Sequence, residues 1–81
     1  MKSIKADDII DLKGFPCPMN SAKAILKLNT MLIGEILEII IDEGEPRDNV
    51  PSSIEDEPGF RIVSIDQSED KSWHLFVEVV K

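Results

Sequence analysis

The stretch that organises this sequence is Lys13-Gly14-Phe15-Pro16-Cys17-Pro18-Met19-Asn20. It contains the only cysteine of the 81 residues and places it between two prolines. A residue that precedes proline favours extended backbone, and proline itself fits the first position of a helix. The stretch therefore predicts that Cys17 caps the N-terminus of a helix.

A cysteine at that position is a candidate reactive thiol, because backbone N–H groups and the helix dipole favour an anion there. No Asp or Glu occurs between Leu12 and Gly34, and the charged residues of that segment are Lys13, Lys23 and Lys27. These lysines predict a basic region that favours the thiolate. The alternatives are a small buried cysteine at a strand–helix corner and an ordinary solvated helix face.

The bulk properties indicate one small domain spanning residues 1–81. We expect no membrane span, because no apolar run is long enough, and no signal peptide, because Met1–Lys5 lack the apolar core of one. A single cysteine cannot form an internal disulfide, which favours a cytoplasmic protein. The net charge of −7 makes direct nucleic-acid binding unfavourable, since such binding needs a basic face.

The residues on either side of the stretch predict a strand and a helix. The strand covers Ile4–Leu12, and the helix runs from Pro18 to about Leu32 with the period of an amphipathic helix. We expect one side of this helix to pack on a sheet and the other to face solvent. The expected buried side holds Ala22, Ile25, Leu26, Asn29 and Leu32 with Leu28 beside them, and the expected solvent side holds Asn20, Lys23, Lys27 and Thr30.

The rest of the chain predicts three strands and a second helix. A β-branched run suits a central strand, and two alternating runs joined by a polar turn suit a hairpin. The acidic loop Asp42–Pro46 matches no calcium-loop spacing and is interpreted as a solvated turn. The predicted strands are Glu35–Ile41, Phe60–Gln67 and Ser72–Val80, and the short helix has an Asp48 or Asn49 cap, contacts through Val50 and Ile54, and ends before Pro58.

The element order is thus β-α-β-α-β-β, which predicts an α/β two-layer sandwich: a four-stranded mixed sheet with two helices on one face. Its only histidine, His74, is expected on the sheet face turned away from the thiol. A cysteine nucleophile of a hydrolase needs a nearby base, and a zinc site needs three or four ligands. We therefore expect no Cys–His pair, no metal site and no cofactor.

Several of these residues give the chain a resemblance to the TusA/SirA family of small sulfur carriers. The shared features run from about Ile9 to Lys81 and are Asp11-Leu12-Lys13-Gly14, the pair Cys17-Pro18, the Gly34-Glu35 strand start, and Asp48 with Val50-Pro51. The resemblance implies strand order one, two, four, three, with one strand antiparallel to the rest. It also implies that Cys17 accepts sulfane sulfur as a persulfide and passes it on.

The partners implied by the resemblance are a sulfur donor, such as a cysteine desulfurase or another sulfurtransferase, and an acceptor enzyme. The protein would then be a sulfurtransferase-like carrier rather than an enzyme acting alone. The residues expected around the thiolate are Pro18, Met19, Asn20, Lys13 and Lys23. The alternative is a regulatory or protein-binding module of the same fold in which Cys17 is structural.

The sequence departs from the family motif Cys-Pro-x-Pro at its last position, because Asn20 stands where the motif has proline. With Cys17 as the cap, the backbone N–H of Asn20 would be placed to bond the cap side chain. We therefore hypothesise that Asn20 donates a hydrogen bond to the Cys17 sulfur and lowers the thiol pKa. The alternative is that Asn20 caps a helix that begins one turn later.

Overall fold

A computed structural model describes residues 5–16 and 19–81 of the chain. Its elements follow the predicted order β-α-β-α-β-β. The predictions that fall on Ile4, Cys17 and Pro18 lie outside the described residues. The strands are β1 (Asp8–Asp11), β2 (Ile36–Ile41), β3 (Phe60–Gln67) and β4 (Trp73–Val79), and the helices are α1 (Met19–Asn29) and α2 (Glu45–Glu55).

The four strands form one mixed sheet in the order β1-β2-β4-β3. β1 pairs with β2 in parallel, and β4 is antiparallel to both of its neighbours. β4 is therefore the one strand that runs against the other three, and this confirms the strand order and direction implied by the resemblance. A bulge between Ile62 and Ser64 inserts Val63, which allows both Ile62 and Ile65 to pack against the core.

The core lies between one face of this sheet and the two helices. The two central strands supply alternate buried residues, as expected of strands with one covered face. Both helices contribute to the same cluster, which confirms the two-layer sandwich. The main members of the cluster are Leu37, Ile39, Ile41, Leu75, Val77 and Val79 from the sheet, and Ala24, Leu28, Val50 and Ile54 from the helices.

α1 is rotated about its axis, by about one residue, from the orientation that the sequence predicted. Leu26 is 66% exposed, whereas Leu28 is completely buried together with Asn20 and Ala24. The apolar residues of α1 spread around more than half of the helix, so its period alone does not select one face. The side that holds Ser21 and Ala24 packs inward, and small side chains there allow the helix to approach the sheet closely.

α1 also ends earlier than predicted, at Asn29 rather than near Leu32. The N–H groups of Thr30 and Met31 donate to carbonyls three residues back, at 3.0 and 3.1 Å, which tightens the last turn. The Thr30 hydroxyl donates to the Lys27 carbonyl at 2.7 Å and satisfies a carbonyl at the helix end. Leu32 therefore lies beyond the helix and is exposed.

α2 begins at Glu45, three residues before the predicted Asp48 cap. Pro46 lies in the first turn, where a missing N–H costs nothing, and Glu45 and Asp48 favour the positive end of the helix dipole. Pro51 lies inside the helix. The burial of Val50 and Ile54, which was predicted correctly, offsets the cost of an interior proline.

Both described helices have 11 residues. In the part of the chain that the structure describes, neither is long and apolar enough to cross a membrane.

Candidate functional site

The candidate site lies at the edge of the sheet where β1 and β2 both end. Because these strands are parallel, the residues that follow them meet at the same edge. The ladder extends one step past β1, where the Leu12 N–H donates to the Ile40 carbonyl at 2.8 Å. Residues 13–16 follow and lead to Cys17. Cys17 and Pro18 lie outside the described residues, so the site is defined here by its neighbours on both sides.

Residues 13–16, which we call the thiol loop, donate three backbone hydrogen bonds. The Lys13 N–H donates to Asp11 Oδ1 at 3.0 Å, and the Phe15 N–H donates to the Leu12 carbonyl at 3.2 Å. Between them, Gly14 has a φ of +87°, a conformation that glycine adopts without steric cost. Its N–H donates to Asp42 Oδ2 at 2.7 Å.

Asn20 departs from two of the predictions made for it. It lies inside α1, so it is not the cap of a later helix. Its backbone N–H donates to the Pro16 carbonyl at 3.1 Å. The hypothesis that this N–H serves the Cys17 sulfur involves a residue outside the described ones and stays a prediction. Its side chain is completely buried rather than solvent-facing, and Asn20 Oδ1 accepts the Ser21 N–H at 2.7 Å.

Two exposed apolar side chains flank the position of Cys17 in the chain. Phe15 is 38% exposed and Met19 is 52% exposed. The Lys23 ammonium lies 5.0 Å from the centre of the Phe15 ring, within the range of a cation–π contact. Lys23 therefore extends along α1 back toward the thiol loop, and its place in a thiolate environment stays a prediction.

The lysines of the acid-free segment are partly neutralised by acids from elsewhere in the chain. Lys27 Nζ lies 2.6 Å from Asp8 Oδ2, and Lys13 Nζ lies 3.9 Å from Asp70 Oδ2. The Lys27 hydrogen bond lowers the pKa of Asp8, with help from the Ile9 N–H. Two lysines of the predicted basic region are thus paired with carboxylates. The third, Lys23, contacts the Phe15 ring instead.

Asp70 belongs to the turn that joins β3 to β4. Its carboxylate accepts the Ser68 hydroxyl, the Ser72 hydroxyl at 2.6 Å and the Ser72 N–H at 3.1 Å. These donors hold the pKa of Asp70 well below its usual range, and the Ser68 hydroxyl has the largest effect. The nearby Lys13 also lowers this pKa. The turn therefore depends on an ionised Asp70.

This dependence predicts how acid affects stability. Because the pKa of Asp70 is lower in the folded chain than in the unfolded chain, its stabilising contribution is complete above the unfolded value. The contribution is lost as the pH falls below about 4. We expect the melting temperature of the wild type to fall over that range, and that of Asp70→Asn to start lower at neutral pH and fall less steeply.

Thermal melts followed by circular dichroism between about pH 7 and about pH 2 would measure this effect. Glu69→Gln, which removes a neighbouring acid from the same turn, is the control and should keep the wild-type slope. Equal pH slopes for Asp70→Asn and wild type would contradict the role assigned to Asp70.

His74 lies on the face of the sheet opposite the helices, since its strand neighbour Leu75 points into the core. Its Nδ1 is 2.5 Å from Glu38 Oε2, so the imidazole is engaged by a carboxylate of β2. Within residues 5–16 and 19–81, no three His, Asp or Glu residues are grouped so as to hold a metal ion.

Sequence reasoning missed Asp42 as a site residue, because it was assigned to a solvated acidic loop. Asp42 and Gly14 are 28 positions apart, so no local pattern connects them. A usable signal was present in the β-α-β order. Residues directly after two adjacent parallel strands lie close together, which places Asp42 beside the thiol loop.

The fold and the site together define a class: a small α/β sandwich in whose sequence the single cysteine comes between the thiol loop and the first helix. The family model described as sulfurtransferase TusA matches residues 8–79. The chain belongs to the TusA family.

Individual relatives agree with this assignment. The chain is 34% identical over 77 residues to a protein from Archaeoglobus fulgidus, a match that covers 95% of this chain and 86% of the relative. It is 24% identical over 79 residues to a protein from Thermotoga maritima, a match that covers 98% of this chain and 99% of the relative. The names of both relatives propose that they are sulfur carrier proteins.

The fold is also similar to the crystal structure of a SirA-like protein from Desulfitobacterium hafniense. The TM-score is 0.76 at 17% identity, and the match covers 91% of this chain and 99% of the other. This likeness supports the fold that the strand order defines.

Proposed function

We propose that this protein is a sulfur carrier that accepts sulfane sulfur as a persulfide on Cys17 and relays it to a partner enzyme. The observation that carries the proposal is the TusA family match over residues 8–79, which includes the chain's only cysteine. The names of the two relatives support the same role. The cytoplasmic location expected from the single cysteine is part of the proposal.

The chemistry needs one thiolate from this chain. The Cys17 thiolate attacks the terminal sulfur of a donor persulfide, and a new S–S bond forms to Cys17 as the donor S–S bond breaks. The donor cysteine leaves as a thiolate, so one sulfur atom moves and there is no net oxidation. The reverse arrangement, in which an acceptor thiolate attacks the terminal sulfur on Cys17, completes the relay.

The neighbouring residues suit this role. Phe15 and Met19, which stand two residues before and two residues after Cys17 in the chain, offer exposed apolar surface for a partner protein to contact. Lys13 and Lys23 are the cations nearest to it in the chain, and we assign them, with Pro18 and Asn20, to the thiolate environment. The donor would be a cysteine desulfurase or another sulfurtransferase, and the acceptor would be an enzyme that consumes the sulfur.

The test is sulfur loading. The purified protein is incubated with a cysteine desulfurase and free cysteine, and its intact mass is measured before and after reduction. We expect the wild type to gain sulfur that reduction removes, and Cys17→Ser to gain none while keeping the wild-type circular dichroism spectrum. An absence of uptake by the wild type, or uptake that persists in Cys17→Ser, would instead favour a binding module in which Cys17 is structural.

A further inference from the structure

The thiol loop is attached to the rest of the protein by a carboxylate from a distant part of the chain. Asp42 directly follows β2, and its Oδ2 accepts the Gly14 N–H at 2.7 Å. The loop's other backbone bonds join residues at most four positions apart: the Lys13 N–H to Asp11, the Phe15 N–H to Leu12, and the Asn20 N–H to the Pro16 carbonyl. The bond to Asp42 therefore ties the loop to the end of a central strand.

The bond to Asp42 continues the contact between the two chain segments beyond their ladder. The last ladder bond joins the Leu12 N–H to the Ile40 carbonyl, and two residues later the Gly14 N–H donates to Asp42 Oδ2. The parallel register pairs Asp11 with Ile40, so the residues after β2 pass beside the thiol loop. Asp42 is the first residue past β2 and is half-buried at this edge.

We propose that Asp42 is a positioning residue for the Cys17 thiol. By holding Gly14, it fixes the direction in which the chain leaves the loop toward Cys17 and α1. Its hydrogen bond promotes reactivity by keeping the thiol in place, whereas its negative charge opposes formation of the thiolate. This inference rests on the proposed function for the reaction that the positioned thiol performs.

Other charged residues lie in the thiol loop or contact it. Lys13 faces Asp70 of the β3–β4 turn, Lys23 of α1 lies over Phe15, and Asp11 accepts the Lys13 N–H. None of these contacts is made by Asp42. A substitution at Asp42 therefore changes one hydrogen bond and one charge while leaving them intact.

Three substitutions separate position from charge. Asp42→Ala removes both the acceptor and the charge, Asp42→Asn keeps an acceptor oxygen without the charge, and Asp42→Glu keeps the charge but moves the carboxylate by one methylene. Asp48→Ala removes an exposed acid from α2 and is the control. Because Cys17 is the only cysteine, alkylation by iodoacetamide reports on that thiol alone.

The measurement is the alkylation rate as a function of pH, which gives both the thiol pKa and the limiting rate of the thiolate. We expect Asp42→Asn to keep the limiting rate and shift the profile to lower pH. Asp42→Ala and Asp42→Glu should change the limiting rate, and Asp42→Ala should slow sulfur loading about tenfold or more, as displacement of a reacting group does. Asp48→Ala should follow the wild type.

Equal limiting rates in all variants, or identical profiles for Asp42→Ala and Asp42→Asn, would overturn the proposal. If Asp42→Ala does not fold, Asp42→Glu provides the test, and a wild-type limiting rate in Asp42→Glu would overturn the positioning role of Asp42.

The carrier function and the positioning role fail in different ways. A wild type that takes up no sulfur contradicts the carrier function while alkylation still tests Asp42, whereas normal loading and alkylation of all Asp42 variants contradicts only the positioning role.

Discussion

Replacing Leu28 with alanine is expected to lower the free energy of unfolding by about 2–5 kcal/mol. Leu28 is completely buried between α1 and the sheet, and it belongs to the same cluster as Leu37 and Ile39. Truncation removes buried methyl groups and leaves a cavity that the close-packed neighbours fill only in part. A domain of this size has a total stability of about 5–15 kcal/mol, so the loss is a large share of it.

Leu26 provides a matched control on the same helix. It is 66% exposed, and Leu26→Ala should change the free energy of unfolding by no more than about 0.5 kcal/mol. Urea denaturation of the two variants and the wild type measures the difference directly. The pair tests the orientation of α1, since the face predicted from the sequence would bury Leu26. Equal destabilisation by the two substitutions would contradict the orientation described here.

Asn20→Ala is expected to be the second most destabilising change, at about 1–3 kcal/mol. The side chain is completely buried, and its Oδ1 accepts the Ser21 N–H in the first described turn of α1. Removing a buried polar partner leaves the remaining group without its hydrogen bond, and this outweighs the better helix propensity of alanine. Asn20→Pro should cost more, because proline also removes the N–H donated to the Pro16 carbonyl.

The control is Asn29→Ala at the other end of the same helix, where the asparagine is exposed. Its effect should stay within about 0.5 kcal/mol. The same denaturation experiment applies, and sulfur loading of Asn20→Ala shows whether the start of α1 matters for the thiol. A stability of Asn20→Ala equal to that of Asn29→Ala would show that the buried amide contributes nothing.

The strands were the most predictable part of the fold. β3 has the predicted bounds, β4 is one residue shorter at each end, and β2 begins one residue later than predicted. The exception is β1, which covers only Asp8–Asp11 of the predicted strand Ile4–Leu12. Alternation along a strand is strict, so Leu75, Val77 and Val79 could be assigned to one face from their spacing alone. The bulge at Val63 was not predicted, because an inserted residue shows itself only against the partner strand.

The helices were predicted to exist but not in detail. The start of α2 was misplaced because Pro46 and Pro51 are both possible first-turn prolines, and only the packing of Val50 and Ile54 shows how far the helix extends. The face of α1 was misplaced because Leu26 and Leu28 are equally apolar. Local propensity ranks such alternatives weakly, and tertiary packing decides between them.

The sequence by itself determined the order of the elements, the two-layer architecture and the position of the single thiol ahead of the first helix. The tertiary structure decided which residues meet around the thiol loop. Asp42 accepts the Gly14 N–H, Asp70 lies beside Lys13, and the Pro16 carbonyl accepts the Asn20 N–H, and none of these contacts was predicted from the sequence. The physical reason is distance along the chain. The spacing of apolar residues reports on structure within a few positions. The contacts of Lys13 and Gly14 depend instead on how the parallel strands and the β3–β4 turn come together at one edge of the sheet.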